Sequence, residues 1–136
     1  MQKELQKRYL ELQLLDQQIK QIQKNIELIE NQMAELESMS ISLEELSSVK
    51  PGTEIFVPVA GGVFAKAELK DNKDLVINVG AGTAVKKSIT QTKGMIANQI
   101  NDIASARDEL LMQLHQFVSK AQKIQQDLIK LQEEKE

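Results

Sequence analysis

Glu54-Ile55-Phe56-Val57-Pro58-Val59-Ala60-Gly61-Gly62-Val63-Phe64 is the stretch that decides how this chain folds. Ile55, Val57 and Val59 alternate with Phe56 and Pro58, a period of two that belongs to a β-strand, and Ala60-Gly61-Gly62 supplies a turn. The alternation resumes with Val63, Ala65, Ala67 and Leu69 against Phe64, Lys66 and Glu68. Asp71-Asn72-Lys73-Asp74 is a second, polar turn; Leu75, Ile77 and Val79 form a third strand, and Gly80-Ala81-Gly82 turns the chain into Thr83–Lys86. Residues 54–87 therefore predict four short strands in two β-hairpins. Pro58 cannot donate to a ladder, so its strand is expected at an edge or with a bulge.

On both sides of this stretch the period is seven. Leu5, Leu12, Ile19, Ile26 and Met33 run beside Leu15, Ile22, Ile29 and Leu36. Beyond the hairpins, Ile89, Ile96, Ile103, Leu110, Phe117, Ile124 and Leu131 run with Ile100, Leu114, Ala121 and Leu128. Spacing of three and four sustained over several heptads marks a coiled-coil seam. The first arm, 3–39, is free of Gly and Pro and predicts a rod roughly 55 Å long at 1.5 Å per residue. Around Ser38, Ser40 and Ser42 the pattern falters, and Ser42-x-x-Glu45 predicts a capping box that restarts a short helix within 40–53, closed by Lys50-Pro51-Gly52-Thr53. Ser88-x-x-Gln91 predicts the cap of the second arm, 88–133, with a bent or frayed first turn at Gly94.

The arms match in length and their connection begins and ends at one place, so they pair as an antiparallel hairpin, with Leu36 near Ile100 and Leu5 near Leu131. The fold class is mainly α with a small β part: a long antiparallel two-helix coiled-coil hairpin joined through two central β-hairpins, expected as one domain over 1–136. Arg8 and Arg107 occupy seam positions, where their stems are expected to cover the seam while the guanidinium reaches water. A narrow seam and four short strands make little core, which points to oligomerisation. The strand residues Ile55, Val57, Val59, Val63, Leu69, Leu75, Ile77 and Val85 carry apolar surface that one chain cannot bury, and they are the expected subunit-assembly surface.

Composition excludes several classes. The net charge of −3 leaves no basic footprint for nucleic acid, no apolar run is long enough for a membrane span, and the first residues lack the apolar centre of a signal peptide. Cysteine is absent, so disulfides and thiolate metal sites are excluded, and a cytoplasmic location is expected. Residues 80–88, Gly-Ala-Gly-Thr-Ala-Val-Lys-Lys-Ser, fail as a phosphate loop because Val85 and Lys86 stand before Lys87 where a Gly is required. His115 has no second His or Cys for a metal and no Ser arrangement for a triad. No enzyme and no cofactor are expected. One row departs from a plain two-stranded coil: Ala97, Ala104, Leu111 and Val118 are apolar, while Asp16, Gln23, Glu30 and Glu37 on the first arm are polar.

Helix, two hairpins, helix, with the 54–64 stretch and Val79-Gly80-Ala81-Gly82 in the middle, resembles the α-type subunit of archaeal-type prefoldin. The resemblance covers nearly the whole chain, and its central motif carries it, since heptads alone fit many unrelated proteins. Two hairpins favour the α type, because β-type subunits have one. The resemblance implies a hexamer of two α and four β subunits on a double β-barrel platform. It also implies an ATP-independent chaperone that holds unfolded proteins and passes them to a group II chaperonin. Client capture is then expected at the paired arm ends, on Leu5, Tyr9, Leu10, Leu12, Leu128, Ile129 and Leu131. A different reading makes the chain an adaptor or scaffold subunit of a hetero-oligomer with no chaperone activity.

Overall fold

A computed structural model describes residues 2–134. Its elements in order are α1 (Gln2–Ser47), β1 (Glu54–Ala60), β2 (Val63–Glu68), β3 (Leu75–Gly80), β4 (Thr83–Lys87) and α2 (Ile89–Glu134). The chain, expected as one domain, clusters into two compact units: Met1–Met33 with Asp102–Glu136, and Ala34–Asn101. The physical reason is that a residue on a long helix meets only neighbours within about a turn of its own position.

In the first unit the two helices pack antiparallel. Leu15, Ala121, Ile124 and Leu128 form its buried cluster, and Leu5, Leu12, Ile19 and Phe117 pack against them. Ile22 and Ile26 are buried as well. These are the seam positions of the heptads, and full burial of a Leu or Ile side chain contributes about 1.5–3 kcal/mol. Arg8 behaves as expected, over a third exposed and paired with Glu11 at 3.5 Å. Arg107 is similar: its stem lies in the seam with Nε enclosed and Nη1 3.7 Å from the Met33 sulfur, while about a third of the side chain is exposed and Nη2 lies 3.5 Å from Asp108.

In the second unit α1 runs unbroken to Ser47, which corrects the expected break near Ser38–Ser42 and the separate short helix in 40–53. Leu36, Ser40 and Leu43 keep the spacing of four and three, and all are half-buried. The Ser42 hydroxyl donates to the Ser38 carbonyl one turn back at 3.1 Å, so it serves as a mid-helix serine rather than a cap. The helix stops where Pro51 approaches, since the residue before a proline is pushed out of helical geometry. The second capping box forms: Gln91 N donates to Ser88 Oγ and Ser88 N donates to Gln91 Oε1, both at 3.1 Å. Gly94 lies within α2 and does not interrupt it. Lys93, at a seam-type position, pairs with Glu44.

The strands make two separate antiparallel pairs, β1–β2 and β3–β4. In the first, Ile55 faces Ala67 and Val57 faces Ala65 on one side, with Phe56–Lys66 and Pro58–Phe64 on the other. The register shifts between Pro58 and Ala60, the bulge expected at the proline. A matching shift falls between Asn78 and Gly80. In the second hairpin turn Ala81 joins Gly80 and Gly82 at positive φ (51°, against 104° and 73°), a conformation that only the two glycines adopt without steric cost.

Asn72 ties hairpin to helix. Its side-chain amide lies within donating distance of the carbonyls of Leu46 (3.1 Å), Ser47 (3.3 Å) and Val49 (2.8 Å), sharing its two N–H groups between the end of α1 and the turn that follows it. Asp71 Oδ1 accepts from the backbone N–H of Lys73 and Asp74 and holds the turn that presents Asn72.

Asn72→Ala is expected to cost about 1–2 kcal/mol and to raise hydrogen exchange selectively around residues 46–53, as amide exchange mass spectrometry would record. Arg107→Leu is expected to change stability by no more than about 1 kcal/mol in urea unfolding at fixed protein concentration, because the gain in seam packing is set against the loss of the partly exposed contact with Asp108.

Candidate interaction surfaces

The paired helix ends form the first surface. Among the seven residues expected there, Tyr9, Leu10 and Ile129 are exposed at 50%, 58% and 55%. Leu5, Leu12 and Leu131 are half-buried in the seam and Leu128 is buried. The heptad explains the split: Leu5, Leu12, Leu128 and Leu131 point at the partner helix, whereas Tyr9, Leu10 and Ile129 lie off the seam. Leu14, at 52% exposure, belongs with the exposed group. Gln132 Nε2 donates to the Tyr9 hydroxyl at 2.9 Å, orienting the ring while leaving half its surface in water. Leu14 borders the side that carries Glu11, Gln18 and Lys120, and Tyr9 the side that carries Gln132, so the exposed apolar residues Tyr9, Leu10, Leu14 and Ile129 are spread around the paired helix ends.

The hairpins form the second surface. Of the residues expected for assembly, Val57, Val59 and Val63 are exposed, and Ile55, Leu69, Leu75, Ile77 and Val85 are half-buried. Leu75 and Ile77 line a groove of about 560 Å³ together with Met39, Leu43, Thr92 and Ile96, so helices of the same unit cover part of them. Phe56 (64%), Phe64 (60%), Val76 (70%) and Val79 fall outside the expected set and are also exposed. Their signal lies in the alternation itself, which is apolar at both parities over residues 55–59 and so marks a strand with two apolar faces. Two-stranded pairs with open edges and bare faces are marginal alone and present backbone donors and acceptors to further strands.

Neither surface carries reactive chemistry. His115 is exposed on α2, and among the described residues no group of three or more His, Asp or Glu could hold a metal ion. No helix among the described residues is long and apolar enough to cross a membrane.

Comparison with known proteins gives one answer at three levels. The family model described as Prefoldin subunit matches residues 15–134. The chain is 35% identical to prefoldin subunit alpha of Methanobrevibacter smithii, over 78% of this chain and 72% of that protein. It is 31% identical to prefoldin subunit alpha of Pyrococcus horikoshii, over 91% of this chain and 89% of the relative. Among solved structures, a chain of filamentous PFD from Methanocaldococcus jannaschii shares the fold with a TM-score of 0.77 at 16% identity, covering 86% of this chain and 97% of that one. With two long helices, two β-hairpins and these relatives, the chain belongs to the prefoldin family and is of the archaeal α type.

Proposed function

We propose that this chain is a subunit of an ATP-independent chaperone that captures unfolded proteins with its paired helix ends and delivers them to a group II chaperonin. The observation that carries this reading is the exposure of Tyr9, Leu10, Leu14 and Ile129, each at least half in water, around helix ends whose own seam is closed. Each exposed side chain offers little area, so each contact with a client is weak. Several copies on one assembly would hold a chain that presents several apolar segments, and weak individual contacts would let it go without nucleotide hydrolysis.

Assembly follows from the hairpins. Their exposed strands, Val57, Val59 and Val63 with Phe56, Phe64 and Val76, would join strands of β-type subunits in a hexamer of two α and four β chains, in the cytoplasm. The filamentous PFD of Methanocaldococcus jannaschii, which has this fold, is a precedent for multi-subunit assembly.

Replacing Leu10, Leu14 and Ile129 together with Ser tests the capture reading. All three are more than half exposed, so the helix content by circular dichroism should not change. Suppression of aggregation of a denatured client by the assembled complex should fall several-fold, since each apolar side chain removed weakens client binding by on the order of 1 kcal/mol and the effect multiplies over copies. Undiminished suppression would overturn the assignment of these residues, and binding confined to one folded partner would favour the adaptor reading.

A further inference from the structure

In the unit that pairs the two helix ends, the helix pair has two unlike flanks. On one side Glu11, Leu14 and Gln18 of α1 lie across from Lys120 of α2. The other side holds the seven-spaced rows that start at Tyr9 on α1 and end at Gln132 on α2, joined by the Gln132–Tyr9 hydrogen bond. There α1 offers Asp16, Gln23 and Glu30, all exposed, while α2 offers Ala104, Leu111 and Val118. Leu111 is 43% exposed, and Ala104 and Val118 are half-buried. An apolar row added to a seam gives a helix face wide enough for a bundle core, yet α1 covers it only with polar side chains. Asp16, Glu30 and the neighbouring Glu27 form no ion pair among the described residues.

We infer that this flank is a second docking surface, and that its occupant is a basic segment of non-native polypeptide in which aliphatic side chains are flanked by Lys or Arg. The inference rests on the chaperone reading above and adds a selectivity to it. The aliphatic side chains would cover Leu111 and Val118. The cations would meet the carboxylates of Asp16, Glu27 and Glu30, which would repel an acidic segment of equal apolarity. A flank apolar on both helices would take any greasy segment; the carboxylate border makes the sign of the client's charge matter.

The test uses the full chain and two labelled peptides of equal length and leucine content, one alternating Leu with Lys and the other Leu with Glu, followed by fluorescence anisotropy. The Lys peptide should bind about tenfold more tightly at low ionic strength, and most of that advantage should vanish at about 0.5 M salt. In Asp16→Lys/Glu30→Lys the preference should collapse, and Leu111→Gln should weaken the Lys peptide, with helix content unchanged in both. The Leu10/Leu14/Ile129→Ser variant should leave the ratio between the peptides intact. Equal affinity for the two peptides, or a ratio that Asp16→Lys/Glu30→Lys does not move, would overturn the flank assignment even if denatured clients are still held. So would a concentration-dependent mass increase abolished by Leu111→Gln, which would give the flank to a second copy of the chain. Failure to bind either peptide together with failure to hold a denatured client would overturn the chaperone reading itself.

Discussion

A pair of helices can bury only the stripe along which they touch, and in this chain that stripe is the main source of core. Among the described residues the buried hydrophobics, Leu15, Ile22, Ile26, Ile96, Ala121, Ile124 and Leu128, are all seam positions, and none is completely buried. Everything off the seam therefore faces solvent unless something else covers it. That constraint accounts for the exposed apolar residues at the helix ends, for the bare strand faces and for the apolar row on α2. A chain built this way is mostly surface.

The hairpins meet the same constraint differently. Bulges at Val59 and Val79 disturb the two ladders, and the apolar strand residues lie on both faces. What steadies the segment within its own unit is polar: the Asn72 amide on the last carbonyls of α1, the reciprocal Ser88–Gln91 cap on α2 and the Lys93–Glu44 pair. These interactions position the strands without hiding them. Local hydrogen bonds hold the segment, and the apolar surface stays available for other chains.

Much of this is legible in the residues. The seam can be read down to individual positions, because a repeat of three and four on a 3.6-residue helix leaves little freedom about which side chains face inward. The strand pairs are legible from period two and from turn glycines, and the bulge near Pro58 from the missing donor. The helix restart expected at Ser42 does not occur because Ser-x-x-Glu has two uses: it caps a helix when the serine leaves helical geometry and is neutral when its hydroxyl bonds back to the preceding turn. Which use occurs depends on Leu43 and Leu46 finding cover, a tertiary fact.

The sequence by itself determined the two helices, the two hairpins, the second helix cap and the seam register, because each follows from periodicity and short-range hydrogen bonding. Only the tertiary structure decided which apolar residues are surface. It separated Tyr9, Leu10, Leu14 and Ile129 from Leu5, Leu12, Leu128 and Leu131, and it turned Asn72 from a turn residue into the clamp on α1. The physical reason is that exposure and long-range hydrogen bonds belong to the space between elements, which hydrophobicity along the chain does not encode.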